Sequence, residues 1–423
     1  MPHIGLLCPT ASGHLNPMTT LGRELRQRGH RVTLVAKLDA RPKAEAACLE
    51  FEAIAESQFP VGSTTASLAQ LGELSGTAAF RYTINLYKES SEALLREAPA
   101  VIDAAGIDFL LVDQTLRAGA TVAQRLNIPY ITVCCAMMLN PEPDVPPYST
   151  AWRYYPTWWA RWRNRGGYWL IGALTRPIRR VIAQYRTRWN LPPLGHPTDA
   201  YSELAQLCQQ PAEFEYPRRA LPDCFHFTGP YLDPASREPA PFPFDQLTGQ
   251  PLIYASLGTV QNRLLPTFRT IAQACQGLDA QLVIALGGGG TAHTLPDLPG
   301  SPIVVGYAPQ LELLQRAALT ITHAGMNTVL ESLSNGVPMV AIPIANDQHG
   351  VATRIEWTGT GEAIPLKELS VPKLRQAITT VLEQESYRRS ALKLQAAIQA
   401  AGGVKRAADI VEQVIATGQP VLA

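Results

Sequence analysis

No stretch of about 18 consecutive apolar residues occurs in this 423-residue chain, so the sequence offers no helix that would span a bilayer. The N-terminus runs straight into an apolar strand pattern, HIGLLCP, with no basic stretch ahead of it, and no secretory signal is expected. Cysteine is sparse and unpatterned: seven residues, including the adjacent pair Cys134-Cys135, with no C-x-x-C spacing. That excludes a disulfide framework and reads as reduced, buried thiols of a cytoplasmic protein. Excess charge is missing as well. The net charge is +1 with 17% charged residues, so no global attraction to nucleic acid is indicated. There is no short-period internal repeat. The length is too great for one ordinary core and suits two domains of roughly 200 residues each.

The most informative stretch is 307–348. Leu319 to Thr322 form an apolar, β-prone run that leads into His323-Ala-Gly325-Met-Asn327-Thr328, after which Val329, Leu330 and Leu333 give a helical stripe. A turn of this kind at a helix start leaves backbone N–H groups free, adds side-chain donors and points a helix dipole at negative charge, so phosphate or pyrophosphate is its natural guest. Glu331, one turn in, can reach two neighbouring hydroxyls such as a ribose presents. A second strand, Val337 to Pro343, leads to Asp347-Gln348, an acceptor and an amide suited to sugar hydroxyls. Tyr307 and Gln310 precede the stretch and can offer a base an aromatic platform and a polar contact. In this order the pieces describe a site for a nucleotide sugar.

The N-terminal half opens with another strand-loop-helix-strand unit. Ile4 to Cys8 are apolar, Pro9 to His14 make a loop, Asn16 and Pro17 suit an N-cap and first helical position, and Gly29 ends the helix before a strand at Arg31 to Ala36. Ligands of such doubly wound sheets sit at the C-terminal ends of the strands, which is where His14 falls. Residues 107–113, IDFLLVD, read as a buried strand ending in Asp113, with a helix from about Ala118. Either residue alone is as well explained by helix capping. Because both end strands of one parallel sheet they can meet at its rim, where a carboxylate on one imidazole nitrogen fixes the tautomer and stabilises the imidazolium.

These residues resemble the signature of the family 1 UDP-glycosyltransferases. The shared positions are Pro309-Gln310, His323, Gly325, Asn327-Thr328, Glu331, Gly336-Val337-Pro338, Pro343 and Asp347-Gln348, together with Gly13-His14-Leu-Asn-Pro17 and an Asp 99 residues beyond the histidine. The resemblance implies a GT-B fold, two facing Rossmann-like doubly wound parallel-sheet domains with the active site between them. It further implies that Gln310 and Glu331 hold a ribose, that His323, Asn327 and Thr328 hold the pyrophosphate, and that Asp347 and Gln348 hold the transferred sugar. His14 would be the general base and Asp113 its partner, with Gly13 beside the donor. Tyr307 and Met326 both stand where plant members carry Trp. The smaller ring at 307 stacks a base less strongly, and position 326 bears on nucleotide and sugar preference.

The chemistry is consistent with that resemblance. An alcohol must lose its proton as it bonds to the sugar carbon, and a largely neutral histidine can accept it. Charge developing on the leaving diphosphate can be met by the helix start at Asn327-Thr328 and by the loop Ser256-Leu-Gly258-Thr259. No D-x-D triplet occurs, so no metal or other cofactor is expected, and single displacement with inversion is the expected outcome.

Residues 145–198 contain no Asp or Glu, and between Trp152 and Trp189 lie nine arginines and six of the seven tryptophans. Two readings stand side by side: a membrane-surface element with rings at the interface and guanidiniums toward phosphates, or a partly buried helical hairpin over the acceptor pocket whose arginines pair with acids elsewhere. Single-stranded nucleic acid is disfavoured by the near-neutral charge and the lack of an RNA-binding motif. The phrasing of 319–361 is similar to bacterial family members that glucosylate hydroxylated carotenoids such as zeaxanthin, which implies a lipophilic alcohol as acceptor and a cytoplasmic protein peripheral to the membrane. The same reaction on a flavonoid or macrolide, a non-catalytic nucleotide-sugar-binding protein at the membrane, and an epimerase or hydrolase are the alternatives.

The expected organisation is an acceptor domain over 1–228, a proline-rich linker over 229–250, a donor domain over 251–403 and a final helix over 404–423 that returns to the N-terminal domain. Gly287, Gly289 and Ala292 mimic a dinucleotide fingerprint. No helix follows them, so the run reads as a flexible interdomain loop and a dehydrogenase is excluded. His293 and His349 read as surface residues, His349 being a neighbour of the pocket through Gln348.

Overall fold

The structure, a computed structural model, describes residues 2–74, 76–259, 264–288, 290 and 292–423. Seven strands form the first sheet: β1 (His3–Leu7), β2 (Arg31–Ala36), β3 (Glu50–Ala53), β4 (Phe109–Asp113), β5 (Tyr130–Cys134), β6 (Gln206–Cys208) and β7 (Phe225–Phe227). Six form the second: β8 (Leu252–Ser256), β9 (Gln281–Ala285), β10 (Ile303–Val305), β11 (Ala317–Thr322), β12 (Met339–Ala341) and β13 (Gly361–Ala363). The orders are β3-β2-β1-β4-β5-β6-β7 and β10-β9-β8-β11-β12-β13, and every ladder is parallel. Helices cover both faces, which is why β1, β4 and β8 are buried along their whole length and read as unbroken apolar runs.

Chain order reverses direction once in each sheet, between β1 and β4 and between β8 and β11. The connections leaving the two strands on either side of such a point diverge to opposite faces and open a crevice at the strand ends. In the first sheet Leu7 pairs with Val112, so the loop leading to His14 and the strand end at Asp113 flank one crevice. In the second Ser256 pairs with Thr322, so Gly258 and His323 flank the other.

The helix Ser12–Gln27 starts five residues earlier than the N-cap reading of Asn16 implies. Pro17 therefore lies inside the helix, and His14 stands in its first turn. The long helix Gly76–Ala105 and the pair Trp158–Leu174 and Arg176–Arg188 complete the first unit; the 176–188 helix packs on the 76–105 helix through Val181 and Ile182. The C-terminal helix Gly403–Thr417 lies on the 12–27 helix, with Ala407, Ala408, Val411 and Val414 in the same core as Leu21 and Leu25. Gly402 and Gly403 both take positive φ (87° and 61°), which lets the chain break between this helix and Glu385–Ala401. Cys48 is exposed, against the expectation of buried thiols throughout; the other six are buried and all seven are free.

Candidate active site

The two crevices face each other. Asn327, at the start of the helix Met326–Ser334, donates from Nδ2 to the carbonyl of Gly13 at 2.7 Å. Gln209, just past β6, holds the other end of that amide, donating to Asn327 Oδ1 at 2.7 Å and also to the Cys135 carbonyl. The expected donor-side residue Gly13 thus joins the cleft through its backbone, as the partner of Asn327.

On the N-terminal side His14 Nδ1 lies 2.8 Å from Asp113 Oδ2, with Asp113 wholly buried. The other carboxylate oxygen accepts from the Thr115 N–H at 2.8 Å and the Thr115 hydroxyl at 2.5 Å, so Asp113 cannot swing away from the ring. Burial alone would lower the His14 pKa, but the charge and hydrogen bond of Asp113, with the charge of Asp347 further off, raise it above its ordinary value. Burial raises Asp113, and His14 and Thr115 more than offset that to hold its carboxyl low. With Nδ1 engaged, Nε2 is left to take a proton from a substrate.

Across the cleft, Asp347 stands at the N-cap position of the helix Gln348–Trp357, with no side-chain capping bond. Burial pushes its carboxyl up, opposed by the charge of His14 and by backbone hydrogen bonding that includes Met137. Gln348 turns its carbonyl oxygen back onto the N–H groups of Ile344 (2.8 Å) and Ala345 (2.9 Å), which leaves its amide donors for a ligand. Two tyrosines absent from the expected set stand at this place. Tyr87 has its hydroxyl raised by burial and by Asp113, and meets Thr115. Tyr148 is pushed up to about 12 by burial.

On the donor side His323 is clasped between two glycines: a Cβ on Gly258 or Gly325 would lie 2.5 Å from its ring. That clasp strips water from the imidazole and lowers it to about 4, so it is neutral, and its Nδ1 is buried without a partner among the described residues. Ser256 accepts from the Gly258 N–H at 3.3 Å, and Thr259 follows in the same turn. Pro309 begins the short helix Gln310–Leu314. Gln310 donates to Glu331 at 2.5 Å and more weakly to Thr328 at 3.4 Å, while the Tyr254 hydroxyl fixes its carbonyl at 2.9 Å. Tyr307 is 61% exposed with its hydroxyl over Gly288, where a ring can serve as a platform. Gly289 lies outside the described residues, so the glycine-run reading rests on its neighbours.

Two non-glycine residues on the site loops hold left-handed backbone, Ala324 (φ 64°) between His323 and Gly325, and Asn346 (φ 54°) before Asp347. Such strain persists only where the surroundings enforce it. His349 is half-buried, its imidazole lowered by burial, and not at the surface as expected; His293 is exposed. No group of three or more His, Cys, Asp or Glu side chains suited to a metal ion exists among the described residues.

The 158–174 helix has two unlike faces. Its inner face packs on the cleft wall, where Asn164 donates to Pro143 O at 2.9 Å, Tyr168 to Val145 O at 3.2 Å, and Gly167 admits the Trp152 ring. The outer face presents Trp158, Trp162 and Trp169, which are 75%, 64% and 74% exposed and fall on one stripe at helical spacing. Among the described residues only Arg153 and Arg161 of the nine arginines pair with acids, Glu356 and Asp144. No helix among the described residues is long and apolar enough to cross a membrane.

A crevice at the strand ends of one Rossmann-like unit, facing a histidine-carboxylate pair on another, is the arrangement of a glycosyltransferase of the GT-B class. The chain belongs to the UDP-glucoronosyl and UDP-glucosyl transferase family, whose model matches residues 190–401. It is 35% identical over 424 residues to the zeaxanthin glucosyltransferase of Pantoea ananas, covering 100% of this chain and 98% of that protein. The zeaxanthin glucosyltransferase of Pseudescherichia vulneris is 30% identical over 426 residues, with 100% of both chains covered. Among solved structures the kitacinnamycin glycotransferase superposes with a TM-score of 0.76 at 24% identity, covering 98% of this chain and 99% of that one.

Proposed function

We propose that this protein transfers glucose from a UDP-sugar to a hydroxyl of a lipophilic acceptor, a hydroxylated carotenoid such as zeaxanthin, with inversion and without a metal ion. The observation that carries the reading is His14: it is braced by Asp113, feels the charge of Asp347 in the other unit, and follows Gly13, whose carbonyl accepts from Asn327 at the helix start. His14 accepts the acceptor's hydroxyl proton as oxygen bonds to the anomeric carbon from the face opposite the diphosphate. General-base assistance of this kind is worth about 10² to 10⁴ in rate. The donor lies along 307–348: Tyr307 under the base, Gln310 and Glu331 on the ribose, His323, Asn327 and Thr328 on the diphosphate, Asp347 and Gln348 on the sugar. Neutral donors and a helix N-terminus meet the leaving charge, which supports metal independence.

The apolar acceptor is supported by the names of the two relatives and by the tryptophan stripe. Three exposed indoles beside arginines suit the headgroup zone of an anionic bilayer, from which a membrane-dissolved alcohol could enter the cleft. The protein then acts as a cytoplasmic enzyme peripheral to the membrane. The test is UDP release from UDP-glucose by wild type and His14→Ala, with zeaxanthin in liposomes or a panel of phenols as acceptors. Release that depends on zeaxanthin and disappears in the mutant is expected. Turnover of phenols alone would make the acceptor polar, and release indifferent to both acceptor and mutation would reject glycosyl transfer through His14.

A further inference from the structure

We propose that Arg237 is a donor-site residue, guarding Glu331 in the empty protein and moving its guanidinium onto the donor's diphosphate when a ribose takes Glu331. This rests on the donor reading given above and assigns a residue outside the 307–348 stretch. The argument starts with how Arg237 is held. Asp233 caps the turn Pro234–Ser236 and accepts from Arg23 Nε at 3.1 Å; the Ser236 hydroxyl meets that of Thr20 at 2.7 Å. The linker is thereby fastened to the N-terminal helix 12–27. Arg237 leaves this anchor with extended backbone and crosses to the other unit, where Nη2 reaches Glu331 Oε1 at 2.6 Å.

Both carboxylate oxygens of Glu331 are then occupied, Oε1 by Arg237 and Oε2 by Gln310, and the residue is 2% exposed. A ribose that presents two hydroxyls to Glu331 must displace one of these donors. Gln310 is tied from behind by Tyr254, whereas the Arg237 Nε is buried with no partner among the described residues, so Arg237 is the donor that can shift. Its destination is close, because Arg237, Gln209, Asn327 and Glu331 line one pocket. Asn327 sits one helical turn before Glu331, at the helix start where the diphosphate would lie. At that helix start Asn327 and Thr328 are neutral, and burial holds His323 neutral. A planar guanidinium offers the diphosphate paired N–H donors, and each such charge-assisted bond outweighs a neutral one.

The experiment is calorimetric titration of the full chain with UDP and with uridine, for wild type, Arg237→Gln and Arg237→Lys, folding being checked by circular dichroism. Loss of one charged hydrogen bond to the diphosphate corresponds to weakening of UDP binding by about tenfold or more in Arg237→Gln. Uridine, which has the ribose but no phosphate, is expected to bind that variant as well as wild type or better. Arg237→Lys is expected to fall between. Equal weakening of uridine and UDP would make Arg237 a brace for Glu331 only and overturn the proposal, as would unchanged binding of both. Wild type that binds neither ligand would overturn the donor reading itself, and the proposal with it.

Discussion

Asn327 donates at 2.7 Å to the Gly13 carbonyl, the one acceptor in the 12–27 helix that Pro17, having no N–H, leaves without its backbone partner. A proline inside a helix ordinarily strands a carbonyl; here the stranded group becomes one of the points where the two units touch at the cleft. The bond ties the helix that carries His14 to the helix start that would carry the diphosphate.

Replacing Asn327 by Ala removes that tie and one diphosphate donor together. A tenfold or greater rise in KM for UDP-glucose is expected, about the effect of one or two hydrogen bonds. Asn327→Asp keeps the acceptor that Gln209 uses but sets a carboxylate against both the Gly13 carbonyl and the diphosphate. Steady-state kinetics should therefore rank Asp below Ala; the reverse order would mean that charge at this position does not reach the donor.

The His14–Asp113 pair fixes the sign of a pH effect. As the proposed base, His14 can act only when neutral, so kcat/KM should rise with pH through a His14 pKa that the Asp113 charge holds above its ordinary value. Asp113→Asn removes the charge that counters burial, and the acid limb should move to lower pH. The plateau should fall by about 10² to 10⁴, because the ring loses its fixed tautomer and the imidazolium its counter-charge. A pH–rate profile checks both parts; an acid limb that does not move would exclude His14 as the group titrating there.

How much of this was legible in the chain depends on how local the signal is. The strand-turn-helix at 319–334, the strand-loop-helix that carries His14 and the strand end at Asp113 announce themselves through apolar runs broken by polar residues, and the structure sets His14 and Asp113 at 2.8 Å. The three-residue strands β6 and β7 gave no such sign, because a run that short has no readable period. The helix start was misplaced because Pro17 looks like a first-turn proline; the compensation that lets it sit deeper comes from Asn327, 310 residues away in the other unit. Arg237 was hidden in the same way. The prolines around it mark a linker, and nothing nearby in the chain reveals a partner 94 residues on. Ala324 and Asn346 are ordinary letters whose left-handed backbone appears only once the loops are built.

A buried charge network on the far side of the cleft makes a stability prediction. Arg354, on the helix Gln348–Trp357, donates to Glu215 at 3.0 Å and 2.5 Å, and both side chains are 1% exposed. Arg218 adds a contact at 3.4 Å, and the Arg354 guanidinium lies 4.3 Å over the Tyr216 ring. Burial raises the Glu215 carboxyl, but the two guanidiniums outweigh it and hold it below its ordinary value. Its contribution to stability is therefore complete above that ordinary value and is lost as pH falls through the depressed one. Glu215→Ala, which leaves the buried Arg354 without its carboxylate and, among the described residues, Arg218 with the Glu142 carboxylate at 4.0 Å alone, should cost about 3–5 kcal/mol in urea unfolding. A cost under about 1 kcal/mol, the range of exposed pairs, would mean that water reaches the pair.

If the tryptophan stripe docks on a membrane as proposed, binding there can be separated from chemistry in the cleft, because the indoles and the cleft-wall contacts lie on opposite faces of one helix. Trp158, Trp162 and Trp169 point outward, while Asn164, Gly167 and Tyr168 hold the inner face to the cleft wall. Replacing the three indoles by Ser should leave the fold and the turnover of a water-soluble acceptor intact. Sedimentation with anionic liposomes should fall by about a hundredfold or more, since each large apolar side chain withdrawn from an apolar phase forfeits about 1.5–3 kcal/mol. Activity on zeaxanthin in liposomes should fall with it, and be restored when the carotenoid is presented in detergent micelles. Unchanged sedimentation would show that the stripe is not the docking face. A loss of sedimentation without loss of liposomal activity would mean that the acceptor reaches the cleft without the protein resting on the bilayer.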